Sequence, residues 1–217
     1  MDPLPCRREC KGPRGDSSWI GEVMHLNRLR EVSRPGQDLL SARNLIEGVY
    51  DRAYGAEIRD HYPEICFRTN EAGDVAAAAG IRRAADQRLF LEHYLDSPIE
   101  EVIRRHTDEH VTREEIVEIG SLASNQTGQC RVFFKLLCAE LHDLGFRYAV
   151  ATATRPLRRI FQYAGFQCRF IAVADPACLP DAGAQWGSYY ATEPHVVFGS
   201  VTDFHNSLAN RQREGAA

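Results

Sequence analysis

The residues best able to do chemistry fall in one stretch, Glu118-Ile-Gly-Ser-Leu-Ala-Ser-Asn-Gln-Thr-Gly-Gln-Cys-Arg131. A strand candidate here gives way to a polar loop and then to a long helix candidate. The first N–H groups of a helix lack partners within it and carry partial positive charge, so such a junction suits a phosphate. Gly128 lets backbone approach a ligand closely, and Asn125, Thr127, Gln129 and Arg131 place polar side chains around it. The junction permits anion binding without requiring it.

Glu118 lies on the strand candidate. A half-buried carboxylate there would have a raised pKa and could serve as general base. The plainer alternative is an ion pair with an arginine such as Arg82. Cys130, at the head of the helix, would gain thiolate character from the helix dipole. No histidine lies near it in sequence, and a free cysteine is more often buried filling. Tyr190, with Tyr189 and Trp186, offers either an acidic hydroxyl or a pocket wall. Arg155, Arg158 and Arg159 suit an acidic partner or plain solvent exposure. The phrase Phe90–Tyr94 suits an apolar tunnel or ordinary core. The histidines show no metal-ligand spacing, and no metal is expected.

These residues need elements to position them. Leu39, Leu40, Ala42, Leu45, Ile46 and Val49 recur at helical spacing and predict a helix running into Tyr50–Tyr54, stopped by Gly55. Glu64–Arg68 and Val75–Ile81, around turn residues Asn70–Asp74, predict a hairpin. Leu89–Leu95 leads to Pro98, and Ile99–His106 reads as a helix. Ile116–Leu122 is a strand candidate interrupted by Gly120. Phe133, Leu136, Leu137, Leu141 and Leu144 stripe a helix of about four turns, with Ser124, Asn125 and Thr127 as capping side chains and Gly145 beyond its end. Tyr148–Thr154, Phe170–Val173 and Val196–Val201 read as strands, and Pro156–Ala164 as a helix closed by Gly165. The order implies an α/β fold with a sheet of mixed direction.

Composition bounds the function classes. The chain has 217 residues, net charge −4, 44% hydrophobic and 26% charged residues, in the ordinary globular range. No run reaches the ~18 apolar residues of a membrane helix. A slightly acidic balance argues against broad DNA binding. Of 26 basic residues only Lys11 and Lys135 are lysine, so anion recognition falls to arginine and backbone N–H groups. The seven cysteines are scattered without a CxxC pair, and Met1–Gly36 has no apolar signal-peptide core, so a cytoplasmic setting with reduced thiols is expected. Residues 1–36 read as an N-terminal extension, 37–205 as one domain and 206–217 as a tail.

Several phrases resemble the thermostable hemolysin family: Tyr54-Gly55-Ala56-x-Ile58, Gly80-x-Arg82-x-Ala84, Leu89-Phe90-Leu91-Glu92-x-Tyr94-Leu95-Asp96, Glu118-Ile119-Gly120-x-Leu122-Ala123-Ser124 and Trp186-Gly187-x-Tyr189-Tyr190. The loop–helix, the Tyr148–Thr154 strand and Arg158-Arg159-Ile160-Phe161-x-x-Ala164-Gly165-Phe166 are similar to the core of GNAT acyltransferases, in particular to acyl-homoserine-lactone (autoinducer) synthases. The resemblance implies a single GNAT-like domain with a mixed, mostly antiparallel central sheet flanked by helices. It implies an N-acyltransferase joining an activated acyl donor to a small-molecule amine. The donor would be an acyl-CoA or a phosphopantetheine thioester on an acyl carrier protein, with aminoacyl-tRNA ranking below, and no cofactor would stay bound. Glu118 and Tyr190 would be catalytic, Asn125, Thr127, Gly128, Gln129 and Arg131 would hold the donor, and Arg82 and Arg43 would hold substrate. Specialised-metabolite or signal biosynthesis would be the setting. The loop departs from the GNAT pattern, since Cys130 stands where a glycine or alanine is usual and would crowd a pyrophosphate. Two rivals stand beside this: a membrane-active hemolysin without acyl transfer, and a GNAT-like protein that only binds.

Overall fold

The computed structural model describes residues 37–126 and 128–215. Helix α1 (Gln37–Tyr54) precedes the hairpin β1 (Glu64–Thr69) and β2 (Val75–Arg83). A short 3-10 turn (Phe90–Tyr94) and α2 (Ile99–Thr107) lead into β3 (Ile116–Ser124), and α3 (Gln129–Asp143) crosses to β4 (Tyr148–Ala153). Then come α4 (Arg155–Ala164), β5 (Arg169–Val173), β6 (His195–Ser200) and α5 (Val201–Gly215). The six strands form one sheet in the order β1-β2-β3-β4-β6-β5. Every neighbouring pair is antiparallel except β3 with β4. The expected fold class is the one observed.

Alternation along the strands divides the core between two sheet faces. Val117, Ile119, Ala149, Ala151, Ala153 and Val197 pack under α3, α4 and α5. There Phe134 meets Phe161 with ring centroids 4.4 Å apart, and Phe166 meets Phe204 at 5.3 Å. Ile116, Tyr148, Val150, Val196 and Phe198 face the other way, toward α2 and the 89–95 segment. Toward β1 and β2 that second face is covered by Ala42, Ile46 and Tyr50, spaced one helical turn apart on α1.

Some expectations are corrected. Leu40 and Leu144 are exposed, while Phe134 joins the buried stripe. Residues 206–215, set apart as a tail, continue α5, whose Val201, Phe204 and Leu208 pack into the core. Helix α3 has Gly128 at its N-cap with φ +86° and no side-chain cap hydrogen bond. Asn125 instead donates its side-chain amide to the Val75 carbonyl, and Thr127 lies outside the described residues.

Strand β3 runs through Gly120 without a break but carries a bulge. Ala78 pairs with Ala123 and Gly80 with Gly120, so β3 has one residue more than β2 between these pairs. Ser121 sits there with φ +49°, a left-handed conformation costly for any residue with a Cβ. A bulge bends and twists its strand. Beyond it β3 has no partner on the β4 side, since the two strands pair only at Ile116–Tyr148, Val117–Ala149 and Glu118–Val150. The strands therefore splay apart toward their C-terminal ends. Ser121→Val is expected to lose about 1–3 kcal/mol in chemical denaturation, because a β-branched residue fits this conformation worse than serine. An unchanged midpoint would show the bulge to be unstrained.

Candidate active site

Glu118 is the last residue of β3 to pair with β4, so it stands where the splay opens. Its side chain shares the face of Ile116 and Val150. It is 0% exposed. The carboxylate accepts from the backbone N–H of Phe90 at 2.8 Å and of Leu91 at 3.0 Å. Burial pushes its pKa up to about 7, against the pull of those N–H groups, the Arg82 cation and the Tyr62 hydroxyl.

Arg82 is directly opposite Glu118 in the β2–β3 register. The two do not form a close pair: Nη1 lies 3.9 Å from the carboxylate. The guanidinium instead lies over the Tyr62 ring, 4.9 Å from its centroid. Tyr62 was not singled out from the sequence, yet the sheet is shaped around it. Gly80 and Gly120 face each other across β2 and β3. A Cβ on Gly80 would come 2.4 Å from the Tyr62 ring, and one on Gly120 would come 2.1 Å from its hydroxyl oxygen. Glycines inside strands mark close approaches of this kind. Both were visible in the sequence, each two residues from a candidate polar side chain.

A second buried carboxylate explains how the Phe90 and Leu91 N–H groups are held. Glu92 accepts from the N–H groups of Leu89 and Ile99 and from Arg113 at 2.7 Å. Arg113 also binds Glu100 at 2.8 Å and the Ala84 carbonyl at 2.7 Å. This knot fixes the 89–99 segment against β2. Burial raises the Glu92 pKa, but Arg113 and the two N–H groups outweigh it and leave the group lowered. The two carboxylates are thus tuned in opposite directions, Glu92 lowered by its structural partners and Glu118 raised to about 7 by burial. Glu92 stands inside one of the family phrases without a hint of its role, and Arg113 gave no signal, because their pairing spans 21 residues.

Aromatic side chains wall the rest of this face. Trp186 lies 5.8 Å from Phe90 and 5.3 Å from Tyr189. Tyr94 and Tyr190 share a 2.5 Å hydrogen bond, and burial raises both phenols, that of Tyr190 to about 12. Leu91 is fully buried core, and Phe90 packs partly buried beside it.

Of the donor-side candidates, Gly128, Asn125 and Arg131 are exposed at the start of α3, and Gln129 accepts a 2.7 Å hydrogen bond from Arg68 on β1. Cys130 packs partly buried against the core, and burial pushes its thiol up to about 11, in keeping with filling and opposite to activation by a helix dipole. Arg43 is exposed on α1 and joins none of the contacts just described. In the basic cluster Arg158 is tied to the carbonyls of Ala153 and Glu193, while Arg155 and Arg159 are exposed. Among the described residues there is no group of His, Cys, Asp and Glu able to hold a metal, and no helix is long and apolar enough to cross a membrane.

The geometry agrees with comparisons to known proteins. The sequence profile of thermostable hemolysins matches residues 33–205. The chain belongs to the thermostable hemolysin family. No curated protein matches it in sequence. Solved structures share its fold at low identity. The CoA-dependent acyl-homoserine lactone synthase BjaI, solved with MTA, is 12% identical over 88% of this chain and 89% of that one, with TM-score 0.55. FeeM, an N-acyl amino acid synthase from uncultured soil microbes, is 10% identical over 85% and 98%, with TM-score 0.53. TofI, in a ternary complex with an inhibitor and MTA, is 12% identical over 82% and 90%, with TM-score 0.51. This member of the hemolysin family therefore has a GNAT-like fold, shared with acyl-transferring synthases.

Proposed function

We propose that the chain is an N-acyltransferase that forms an amide from a thioester donor and a small-molecule amine. The observation that carries this is the position of Glu118. A sealed carboxylate with its pKa near 7 stands at the mouth of the β3–β4 splay. The donor's pantetheine arm lies in that splay, where β3 past Glu118 has backbone N–H groups facing away from β2 to polarise the thioester carbonyl. Its phosphate rests on the start of α3, uncapped by any side chain, with Asn125, Gly128, Gln129 and Arg131 around it. Thr127 belongs to the same set by its place in the loop.

The amine attacks the carbonyl carbon. A C–N bond forms, the C–S bond breaks, the amine gives up one proton and the departing sulfur takes one. Glu118 is too enclosed to touch the amine itself, so Tyr62, with its hydroxyl beside the carboxylate, relays the proton. Tyr190 keeps its proton, because a phenol raised to about 12 is a weaker acid than a thiol. It serves as a hydrogen-bond donor in the pocket wall, paired with Tyr94. The aromatic wall from Phe90 to Trp186 receives the acyl chain. Arg155 and Arg159 face an acidic carrier protein where the donor is protein-bound.

The test supplies purified protein with acyl-CoA, acyl carrier protein thioester or aminoacyl-tRNA and a pool of amines, and follows acyl transfer by mass spectrometry. Amide formation dependent on both donor and amine is expected. If no donor binds or transfers, while liposomes leak without any donor, the acyltransferase reading fails and membrane lysis replaces it.

A further inference from the structure

We infer that the amine acceptor carries a carboxylate beside its amine, as an α-amino acid does, and that Arg82 is the residue that grips it. This rests on acyl transfer only for the fate of the amine, since the grip itself is a binding site.

Among the described residues, the other half-buried arginines are all employed. Arg83 forks onto Glu64 at 2.8 and 3.2 Å. Arg113 holds Glu92 and Glu100, Arg147 holds Glu115, Arg68 holds Gln129 and Arg158 holds two carbonyls. Arg82 donates a hydrogen bond to no described residue, and its Nε is buried without a partner. Its side chain is 18% exposed. Glu118, the anion facing it, stands 3.9 Å from Nη1, beyond hydrogen-bond reach, so the buried Nε lacks a partner and the guanidinium has donors that an anion in direct contact would satisfy. Tyr62 holds it flat from one side, which leaves the edge with its planar fork to face a carboxylate two-pronged.

The neighbouring charge decides which anion. Glu118 lies 3.9 Å from Nη1, so a phosphate dianion on Arg82 would be repelled whenever Glu118 is ionised. An α-amino acid brings its own ammonium. With its carboxylate on Arg82, its amine stands next to Tyr62 and one step from Glu118, the order needed for deprotonation. A positive group beside a negative group in the protein is matched by a negative group beside a positive one in the ligand. Among the candidates, Arg82 alone combines burial, unused donors and contact with the proposed base.

Tryptophan fluorescence of the full chain at pH 8, with Trp186 in the pocket wall, reads binding directly. The probes are the L-α-amino acids, the carboxamide of each, and inorganic phosphate. At least one free amino acid is expected to bind, with its carboxamide about 10- to 100-fold weaker, the range for losing one charged hydrogen-bond pair. Arg82→Met is expected to erase the difference between acid and amide, and Arg82→Lys to keep part of it, with thermal melts confirming that both fold. The acid–amide comparison on the unaltered chain needs no variant. Equal affinity for acid and amide, no binding by any amino acid, or displacement by inorganic phosphate would each overturn the assignment. Running the acyl-transfer assay on the same set separates the two claims. Arg82-dependent binding without transfer leaves the acceptor site standing and removes the catalytic reading. Transfer to amines lacking a carboxylate does the reverse.

Discussion

Glu118→Gln should lower kcat/KM for acyl transfer by about 10²- to 10⁴-fold, the range for loss of a positioned general base. The amide keeps the size of the side chain but only one of the two oxygens that accept from the Phe90 and Leu91 N–H groups, a pH-independent cost of about 1–3 kcal/mol that cancels when the variant is compared with itself at two pH values. With Glu118 intact, kcat/KM should rise with pH through about 7, because only the ionised carboxylate accepts a proton. The variant should lose that rise. Stability gives an independent check with a defined sign. The pKa is raised on folding, so between about 4.5 and 7 the folded chain holds a proton that the unfolded chain has released. Stability from this group is complete below pH 4.5 and is lost as pH climbs through 7. Glutamine has no such loss. The stability of Glu118→Gln relative to the unaltered chain should therefore improve from pH 5 to pH 8 by about 3 kcal/mol. An unchanged stability difference at the two pH values would show that folding leaves the Glu118 pKa unshifted and would remove the tuning on which its role as base rests.

Gly120→Ala is the second change of large expected effect, although it adds a single methyl group. That carbon would stand 2.1 Å from the Tyr62 hydroxyl oxygen and 2.2 Å from the ring carbon bearing it. The ring also crosses Gly80, so it has no room to slide along the sheet and must leave. Overpacking of this kind costs about 1–3 kcal/mol. Activity should fall about 100-fold, because the hydroxyl leaves Glu118 and the Arg82 guanidinium loses its support. Tyr62→Phe should keep the melting temperature and lose most of the activity. Tyr62→Ala combined with Gly120→Ala should recover stability relative to Gly120→Ala alone, without recovering activity. If Gly120→Ala melts and turns over like the unaltered chain, Tyr62 does not position the site.

The elements with strong local patterns were legible in the sequence. The 64–83 hairpin, α3, β4 and α4 show periodicity 2 or 3.6 and carry glycines or capping residues at their ends. Helix α5 was missed: Val201 reads as the end of the last strand, and although Val201, Phe204 and Leu208 stand at helical spacing, the polar run after Leu208 reads as a tail. Glu118 and Arg82 were identifiable because polar residues in buried strands are conspicuous, but their facing register is set across the intervening residues 84–115 and is a property of the folded sheet. Tyr62, Glu92 and Arg113 act through pairings made only by the folded chain, so no local pattern announces them. The glycines at 80 and 120 were the legible trace of Tyr62. What they lacked was the identity of the group lying over them.

The short pairing between β3 and β4 has a bearing on folding as well as on the cleft. Backbone continuity between the β1-β2-β3 ladder and the β4-β6-β5 ladder passes through three residue pairs. Each ladder is antiparallel, whereas the seam is parallel and forms only once α3 has crossed over, and parallel pairing is slightly weaker per residue. A molecule lodged in the splay touches both ladders together. Thermodynamically it acts as a cross-link, so it should bring their melting into one sharper transition as well as raise its midpoint.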